Sequence, residues 1–170
     1  CLDDEMVRSI EPGAPAPSTR FNALQELSDE GIPVYVSMSP TYPTQDREDI
    51  RELLKKFKSL DPDVIFHEPI NPRGANFDMT VEAAREAGQE ELADELAKLR
   101  DRDHWAEYSI NQMYAVRDIG KELGLPIHLW PDKQLISHIR DDRPDTSEDL
   151  REKREDPTSP EDYPLEPQSV

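Results

Sequence analysis

The chain has 170 residues, a mean hydropathy of −0.84 and a net charge of −18, from 38 acidic and 20 basic side chains. Its length suggests one domain, and its charge disfavours direct binding to nucleic acid or anionic lipid. The single cysteine, Cys1, excludes an internal disulfide, and no apolar run approaches the ~20 residues of a membrane span. Nothing resembles a signal peptide, so we expect a cytoplasmic protein.

The excess of acid has two explanations, an acidic interaction surface or adaptation to high salt. The acids are spread along the chain, and Arg outnumbers Lys thirteen to seven. This pattern favours the salt-adapted, halophilic interpretation.

Apolar periodicity, capping residues and proline breaks predict alternating helices and strands. Ser18 is the expected N-cap of the second helix, and Gly31 is its expected stop. The predicted elements, in chain order, are a helix over 3–10, a helix over 18–30, a strand over 32–38, an amphipathic helix marked by apolar residues from 50 to 60, a strand over 64–66, a polar loop over 67–78, helices near 79–87, 90–101 and 103–123, a strand over 126–130 and one helical turn in 133–139.

The order of these elements is typical of an α/β protein. Each predicted strand is a short continuous apolar run, as in a parallel sheet that is covered on both faces. Three strands are too few for a closed eight-stranded barrel and suit one side of a barrel or half of an open sheet. We assign residues 1–139 to this unit. Residues 140–170 hold eleven acids, five bases and five prolines, and we expect a disordered acidic tail.

Three segments of the first 80 residues resemble the radical SAM superfamily, in particular its spore photoproduct lyase-like branch. The first is Glu11–Pro12 with the proline-rich stretch that leads to Arg20. The second runs from Gly31 to Pro43 (GIPVYVSMSPTYP), and the third from His67 to Asn76 (HEPINPRGAN). Beyond residue 80 the sequence is compatible with that class.

The resemblance implies a partial parallel (β/α) barrel that binds a 4Fe-4S cluster and S-adenosylmethionine. In that class three cysteines, spaced C-x3-C-x2-C near the first strand, hold the cluster, and reductive cleavage of S-adenosylmethionine begins the reaction on the substrate. A chain with one cysteine lacks this motif. The resemblance therefore implies the C-terminal half of a barrel, inactive alone, whose partner is the missing N-terminal half. Cys1 matches the residue that follows an intein, and a truncated gene or arbitrary fragment is the alternative.

Ligands of parallel α/β folds bind beyond the carboxyl ends of the strands. Glu68 to Asn76 is the leading candidate loop, because it combines a carboxylate, amides and a guanidinium that can grip a carboxylate with two hydrogen bonds. The alternative is that these side chains only satisfy loop backbone. Glu11 and Arg20 either pair to hold the crossover, or Arg20 faces the site. The candidate cofactor-binding residues are Arg20, Ser37, Ser39, Glu68, Asn71, Arg73 and Asn76.

The four histidines lie too far apart in the sequence to predict a metal site, and His67 and His128 are interpreted as hydrogen-bonded core or rim residues. The chain has no nucleotide-binding, serine hydrolase or zincin motif. The leading hypothesis is a radical SAM enzyme whose substrate the sequence does not identify. The alternatives are a non-catalytic acidic interaction module and a barrel enzyme of unrelated chemistry that uses the loop from Glu68 to Asn76.

Overall fold

The computed structural model describes residues 3–11, 13–132 and 135, and these residues form six α-helices and three β-strands. The predicted tail, 140–170, lies outside the described residues, as does the predicted turn at 133–139 apart from Leu135. The elements, in chain order, are α1 (Asp4–Ile10), α2 (Pro17–Asp29), β1 (Tyr35–Met38), α3 (Arg47–Lys58), β2 (Val64–His67), α4 (Ala75–Glu86), α5 (Glu90–Lys98), α6 (Arg102–Leu123) and β3 (Ile127–Leu129).

The three strands form one parallel sheet in the order β1-β2-β3. Val36 lies opposite Ile65, and Ile65 lies opposite Ile127. The described sheet is open, with β1 and β3 at its edges, so it is not closed into a barrel. The predicted mixed α/β class with a parallel sheet is confirmed, and the partial barrel stays a prediction.

One face of the sheet contributes to the main hydrophobic core. Val36, Ile65 and Leu129 are buried on this face, and α3 and α6 pack side by side, with α6 also against β3. The opposite face is more open at β1, where Tyr35 and Ser37 are exposed while Val36 and Met38 are buried. Helices therefore cover the two faces of this strand unequally.

The second helix begins one residue earlier than predicted. Pro17 occupies its first turn, and Ala16 is the N-cap, without a side-chain hydrogen bond. The prediction that Ser18 caps this helix is wrong, because its backbone N–H donates to Asp4 at 2.9 Å and its hydroxyl bonds the same carboxylate. The predicted stop at Gly31 is confirmed: Gly31 has φ +73°, and Ile32 N donates to Leu27 O at 3.0 Å.

The starts of β1 and α4 also differ from the prediction. Strand β1 begins at Tyr35, after Pro33 rather than before it, because proline has no N–H to donate to a ladder. Helix α4 begins at Ala75, so Asn76 lies in a helical turn and not in a loop. Gly74 makes this early start possible, since its φ of +79° turns the chain sharply into the helix.

Candidate functional site: the carboxyl ends of β1 and β2

The loops that follow β1 and β2 meet at one edge of the sheet, because parallel strands bring their carboxyl ends together. The backbone N–H of Glu68 donates to Ser39 Oγ at 3.0 Å and so joins the two loops directly. Tyr108 of α6 links them a second time. Its hydroxyl donates to Thr41 O in a short hydrogen bond and accepts from Ile70 N at 3.2 Å.

A cavity of about 200 Å³ lies between β1, the first two helices and α3. Its walls are mainly apolar, and its polar side chains are few. The apolar lining includes Val7, Phe21, Leu24, Leu53 and Phe57, and the polar lining comprises Glu11, Arg20, Ser37, Ser39 and Tyr42. Such a combination of apolar surface and a few oriented polar groups is typical of ligand sites.

The Glu11 carboxylate holds the rim of this cavity together. Arg20 Nη2 donates to Glu11 Oε2 at 2.8 Å, and Arg20 Nε donates to Pro15 O at 2.7 Å. The Tyr42 hydroxyl donates to Glu11 Oε1 at 3.4 Å. Burial, together with the nearby Glu11 charge, raises the pKa of Tyr42 to about 12, so Tyr42 stays a hydrogen-bond donor. Arg20 thus both pairs with Glu11 and lines the cavity.

Glu68 lies next to Ser39, one of the residues that line this cavity. Burial raises the pKa of the Glu68 carboxyl, and the negative charge of Asp132 raises it further. Asp132 is itself paired with Arg73, whose Nη2 lies 3.1 Å from both carboxylate oxygens. The guanidinium of Arg73 also lies 6.0 Å from the centre of the Trp105 ring. The group expected to grip a ligand carboxylate therefore has a protein carboxylate as its partner.

The two asparagines of the candidate loop lie apart from the cavity lining. Asn71 Oδ1 is buried and has no hydrogen-bond partner in the part of the chain that the structure describes. Asn76 is exposed in the first turn of α4, and its carbonyl accepts from Thr80 Oγ1 at 2.9 Å. The expectation that Asn76 belongs to a strand-end loop is therefore corrected. Of the seven candidate residues, Arg20, Ser37 and Ser39 share one cavity, and Glu68 adjoins it.

Three side chains near the strand ends were not among the sequence-predicted site residues. Two of them, Trp105 and Tyr108, lie on α6, and Trp105 donates from Nε1 to Ile70 O at 2.9 Å within the core. The third, Trp130, is exposed, and its ring centre lies 5.7 Å from that of His128. Helical spacing alone does not distinguish a core aromatic residue from one that also joins two loops.

No group of three His, Cys, Asp or Glu residues that could hold a metal ion occurs in the described parts of the chain, 3–11, 13–132 and 135. His67 and His128 are both buried, His67 against Met38 O and His128 between the rings of Phe66 and Trp130. No described helix is both long enough and apolar enough to cross a membrane.

Comparison with known proteins gives one distant relative. No protein-family model matches the chain, and no solved structure is significantly similar to it. The chain is 30% identical, over 105 residues, to the uncharacterized protein ORF301 of Acidianus two-tailed virus. The match covers 58% of this chain and 35% of the viral protein, so the chain spans about a third of the length of that relative.

Proposed function

We propose that this chain is the C-terminal portion of a radical SAM enzyme related to spore photoproduct lyase. One observation carries the proposal. The three segments of the resemblance are far apart in the sequence, yet Arg20 from the first and Ser39 from the second line the same cavity, and Glu68 from the third bonds to Ser39. Residues brought together in this way at strand ends form the usual location of an active site in parallel α/β proteins.

The sheet also supports the more specific proposal that the fold is part of a (β/α) barrel. Its strands are parallel and follow chain order, with helices in each connection. A (β/α) barrel keeps its helices outside and one strand face inside. The exposed side chains of Tyr35 and Ser37 on one face of β1 are consistent with such an inner face.

The described residues do not fit an iron–sulfur cluster. They contain no group of three metal-ligating side chains, and the single cysteine, Cys1, lies outside them. We therefore derive no step through a cluster in this chain and assign its ligands to a preceding half of the enzyme. In radical SAM enzymes the cluster supplies the electron for the cleavage of S-adenosylmethionine.

The cavity and its neighbour Glu68 fit part of S-adenosylmethionine. The hydroxyls of Ser37 and Ser39 can bond ribose or amino-acid oxygens, and the Glu68 carboxylate can accept from an amino group. The cavity volume of about 200 Å³ is smaller than the roughly 300–1,000 Å³ of sites that enclose a whole ligand. The rest of S-adenosylmethionine would then contact the preceding half of the enzyme. The pairing of Arg20 with Glu11 keeps the rim in place.

Reductive cleavage of S-adenosylmethionine tests this proposal. The polypeptide that includes the upstream sequence is reconstituted anaerobically with iron and sulfide, and 5′-deoxyadenosine is measured after addition of dithionite. We expect Ser39→Ala to weaken binding of S-adenosylmethionine by about tenfold, because it removes a hydrogen bond and loosens the Glu68 loop. The matched control is Ser59→Ala, at the end of α3, where the hydroxyl bonds only Lys56 O among the described residues.

The control variant should bind and cleave S-adenosylmethionine like the unsubstituted protein. No 5′-deoxyadenosine above background from the unsubstituted protein would contradict the proposed enzyme class. Equal effects of the two serine substitutions would contradict the assignment of the cavity.

A further inference from the structure

A second cavity, of about 250 Å³, lies between α5, the first half of α6 and the loop that follows β1. We call it the α5–α6 cleft, and it shares no lining residue with the cavity beside β1. Five of its lining residues lie on one face of α6, at helical spacing: His104, Glu107, Tyr108, Asn111 and Gln112. Since sites that enclose a drug-sized molecule have about 300 Å³ or more, the cleft suits a group the size of one side chain.

One part of the cleft is apolar and fixed in position. Pro43, the buried Leu99 and Tyr108 all line it. The Tyr108 hydroxyl bonds both Thr41 O and Ile70 N, so its ring is held in place before any ligand arrives. An alkyl chain can pack on Leu99 and Pro43, and the face of a tyrosine ring attracts a cation. A ligand therefore meets a surface that does not have to be ordered on binding.

Gln112 brings a buried hydrogen-bond acceptor to the cleft. Only 7% of this residue is exposed. Its Nε2 donates to Gln45 O at 3.0 Å, which fixes the orientation of the amide because a carbonyl only accepts. Its Oε1 is buried and has no hydrogen-bond partner among the residues that the structure describes. An unsatisfied buried oxygen destabilises the fold, and a donor supplied by a ligand would remove this penalty.

Glu107 adds a charged acceptor on the same face of α6. The other charged side chains of the cleft have partners, since Glu95 pairs with Lys98, and His104 lies 3.0 Å from an Asp101 oxygen. Glu107 is exposed and has no such partner in the described part of the chain. The polar atoms that the cleft leaves for a ligand are therefore oxygens, one of them charged.

We propose that the α5–α6 cleft binds an alkylguanidinium group. The guanidinium donates to the Glu107 carboxylate and to Gln112 Oε1, and the alkyl chain packs on Leu99. A guanidinium has five N–H donors and no acceptor, so it matches a site whose free polar atoms are oxygens. The net charge of −18 attracts such a cation. A metal ion fits less well, because the described residues contain no group of three metal-ligating side chains.

Two small molecules of matched shape test this inference. The first is n-butylguanidine, and the second is n-butylurea, its uncharged isostere with an oxygen in place of one nitrogen. Calorimetric titration of the chain should give a Kd on the order of 1 mM for n-butylguanidine and at least tenfold weaker binding of n-butylurea. In amide NMR spectra, n-butylguanidine should shift the side-chain amide signal of Gln112, because its oxygen gains a donor.

Substitutions at the two acceptors provide a second test. Glu107→Gln should weaken binding of n-butylguanidine by about tenfold, because a charged hydrogen bond becomes a neutral one. The matched control is Glu52→Gln on α3, an exposed position outside the cleft with the same change of charge. Gln112→Met keeps the bulk of the side chain and removes Oε1, so it should also weaken binding. Urea unfolding shows whether that buried change alters the fold, and the NMR shift tests the same contact without any substitution.

A third probe, a Gly-Gly-Arg-Gly-Gly peptide with blocked ends, distinguishes two sources of the group. Binding of the peptide at least as tight as that of n-butylguanidine would support an arginine of a partner protein. Binding of n-butylguanidine alone would support a free guanidine compound.

Absence of n-butylguanidine binding, or equal binding of n-butylurea, would overturn the proposal. Equal losses in Glu107→Gln and Glu52→Gln would also overturn it, because general attraction by the net charge would then explain the binding. These results do not depend on cleavage of S-adenosylmethionine, so a failure here is distinct from a failure of the proposed enzyme class.

Discussion

His67 holds an uncharged imidazole in the core at the end of β2. Its side chain is fully buried, and Nδ1 lies 2.9 Å from Met38 O. Because a carbonyl only accepts, Nδ1 carries the proton and Nε2 is the unprotonated nitrogen. Burial lowers the pKa of His67 from 6.5 to about 4, and the bond to Met38 opposes this shift only in part. At neutral pH the ring is therefore a neutral part of the sheet end.

This lowered pKa predicts acid sensitivity. The unfolded chain binds a proton at this histidine below pH 6.5, while the folded chain does so only near pH 4. Stability is therefore fully present above pH 6.5 and is lost as the pH falls towards 4, by on the order of 3 kcal/mol. Urea unfolding of the chain at several pH values measures the slope of the free energy of unfolding against pH. His67→Asn keeps a donor to Met38 O but does not titrate, so the slope in that window should shrink.

The control for this prediction is an exposed histidine. His104 lies on the first turn of α6, where its Nδ1 is 3.0 Å from Asp101 Oδ1. His104→Asn should leave the slope between pH 6.5 and 4 in place, because His67 is unchanged. An equal slope in the protein and in His67→Asn would show that other groups cause the acid sensitivity.

Gly120 permits the close packing of α6 on β3. A Cβ atom at this position would lie 2.2 Å from Ile127 Cγ1, and both residues are buried. The contact therefore specifies glycine inside a 22-residue helix, where glycine otherwise costs about 1 kcal/mol relative to alanine.

We expect Gly120→Ala to destabilise the chain by about 1–3 kcal/mol, because the overpacked interface outweighs the gain in helix propensity. The free energy of unfolding from urea titration measures the change, and Lys121→Ala on the exposed side of the helix is the control. In an Ile127→Ala background, Gly120→Ala should cost little, since the opposing side chain is gone. Additive losses in the double variant would contradict the steric explanation.

Helices and strands were predictable where one local cause dominates. Helix α3 combines an Asp46 capping box with buried Ile50 and Leu54, and both signals are visible in the sequence. The start of α4 was not predictable from apolar spacing, because it depends on the positive φ of Gly74. The role of Ser18 was missed because its partner, Asp4, lies on another helix. Local patterns therefore predict elements better than they predict contacts between them.

At the scale of the whole molecule, the net charge of −18 makes self-repulsion a general destabilising force. We expect the thermal midpoint of the chain to rise when NaCl is raised from 0.05 M to 1 M, where the screening length falls to about 3 Å. Replacing three exposed acids, Glu52, Glu82 and Glu86, by glutamine should raise the midpoint at low salt and weaken its dependence on salt. A midpoint that is independent of salt would contradict the salt-adapted interpretation.

The sequence segments that form the candidate site could be predicted, and the contacts between their side chains could not. Strand order alone indicates that the residues after β1 and β2 share one edge, and Ser39 does contact the Glu68 loop. The pairing of Arg73 with Asp132 joins residues 59 positions apart and has no signal in the sequence. Which residues form a long-range ion pair depends on the three-dimensional fold, and no local pattern in a single sequence encodes that pairing.

The order of the strands has a consequence for synthesis. Strand β2 pairs with β1, and β3 pairs with β2, so neither is inserted between two strands that are already paired. As the polypeptide leaves the ribosome, β2 can add to β1 once α3 has emerged, and β3 can then add to the new edge. Growth of the described sheet therefore proceeds in one direction, from β1 to β3.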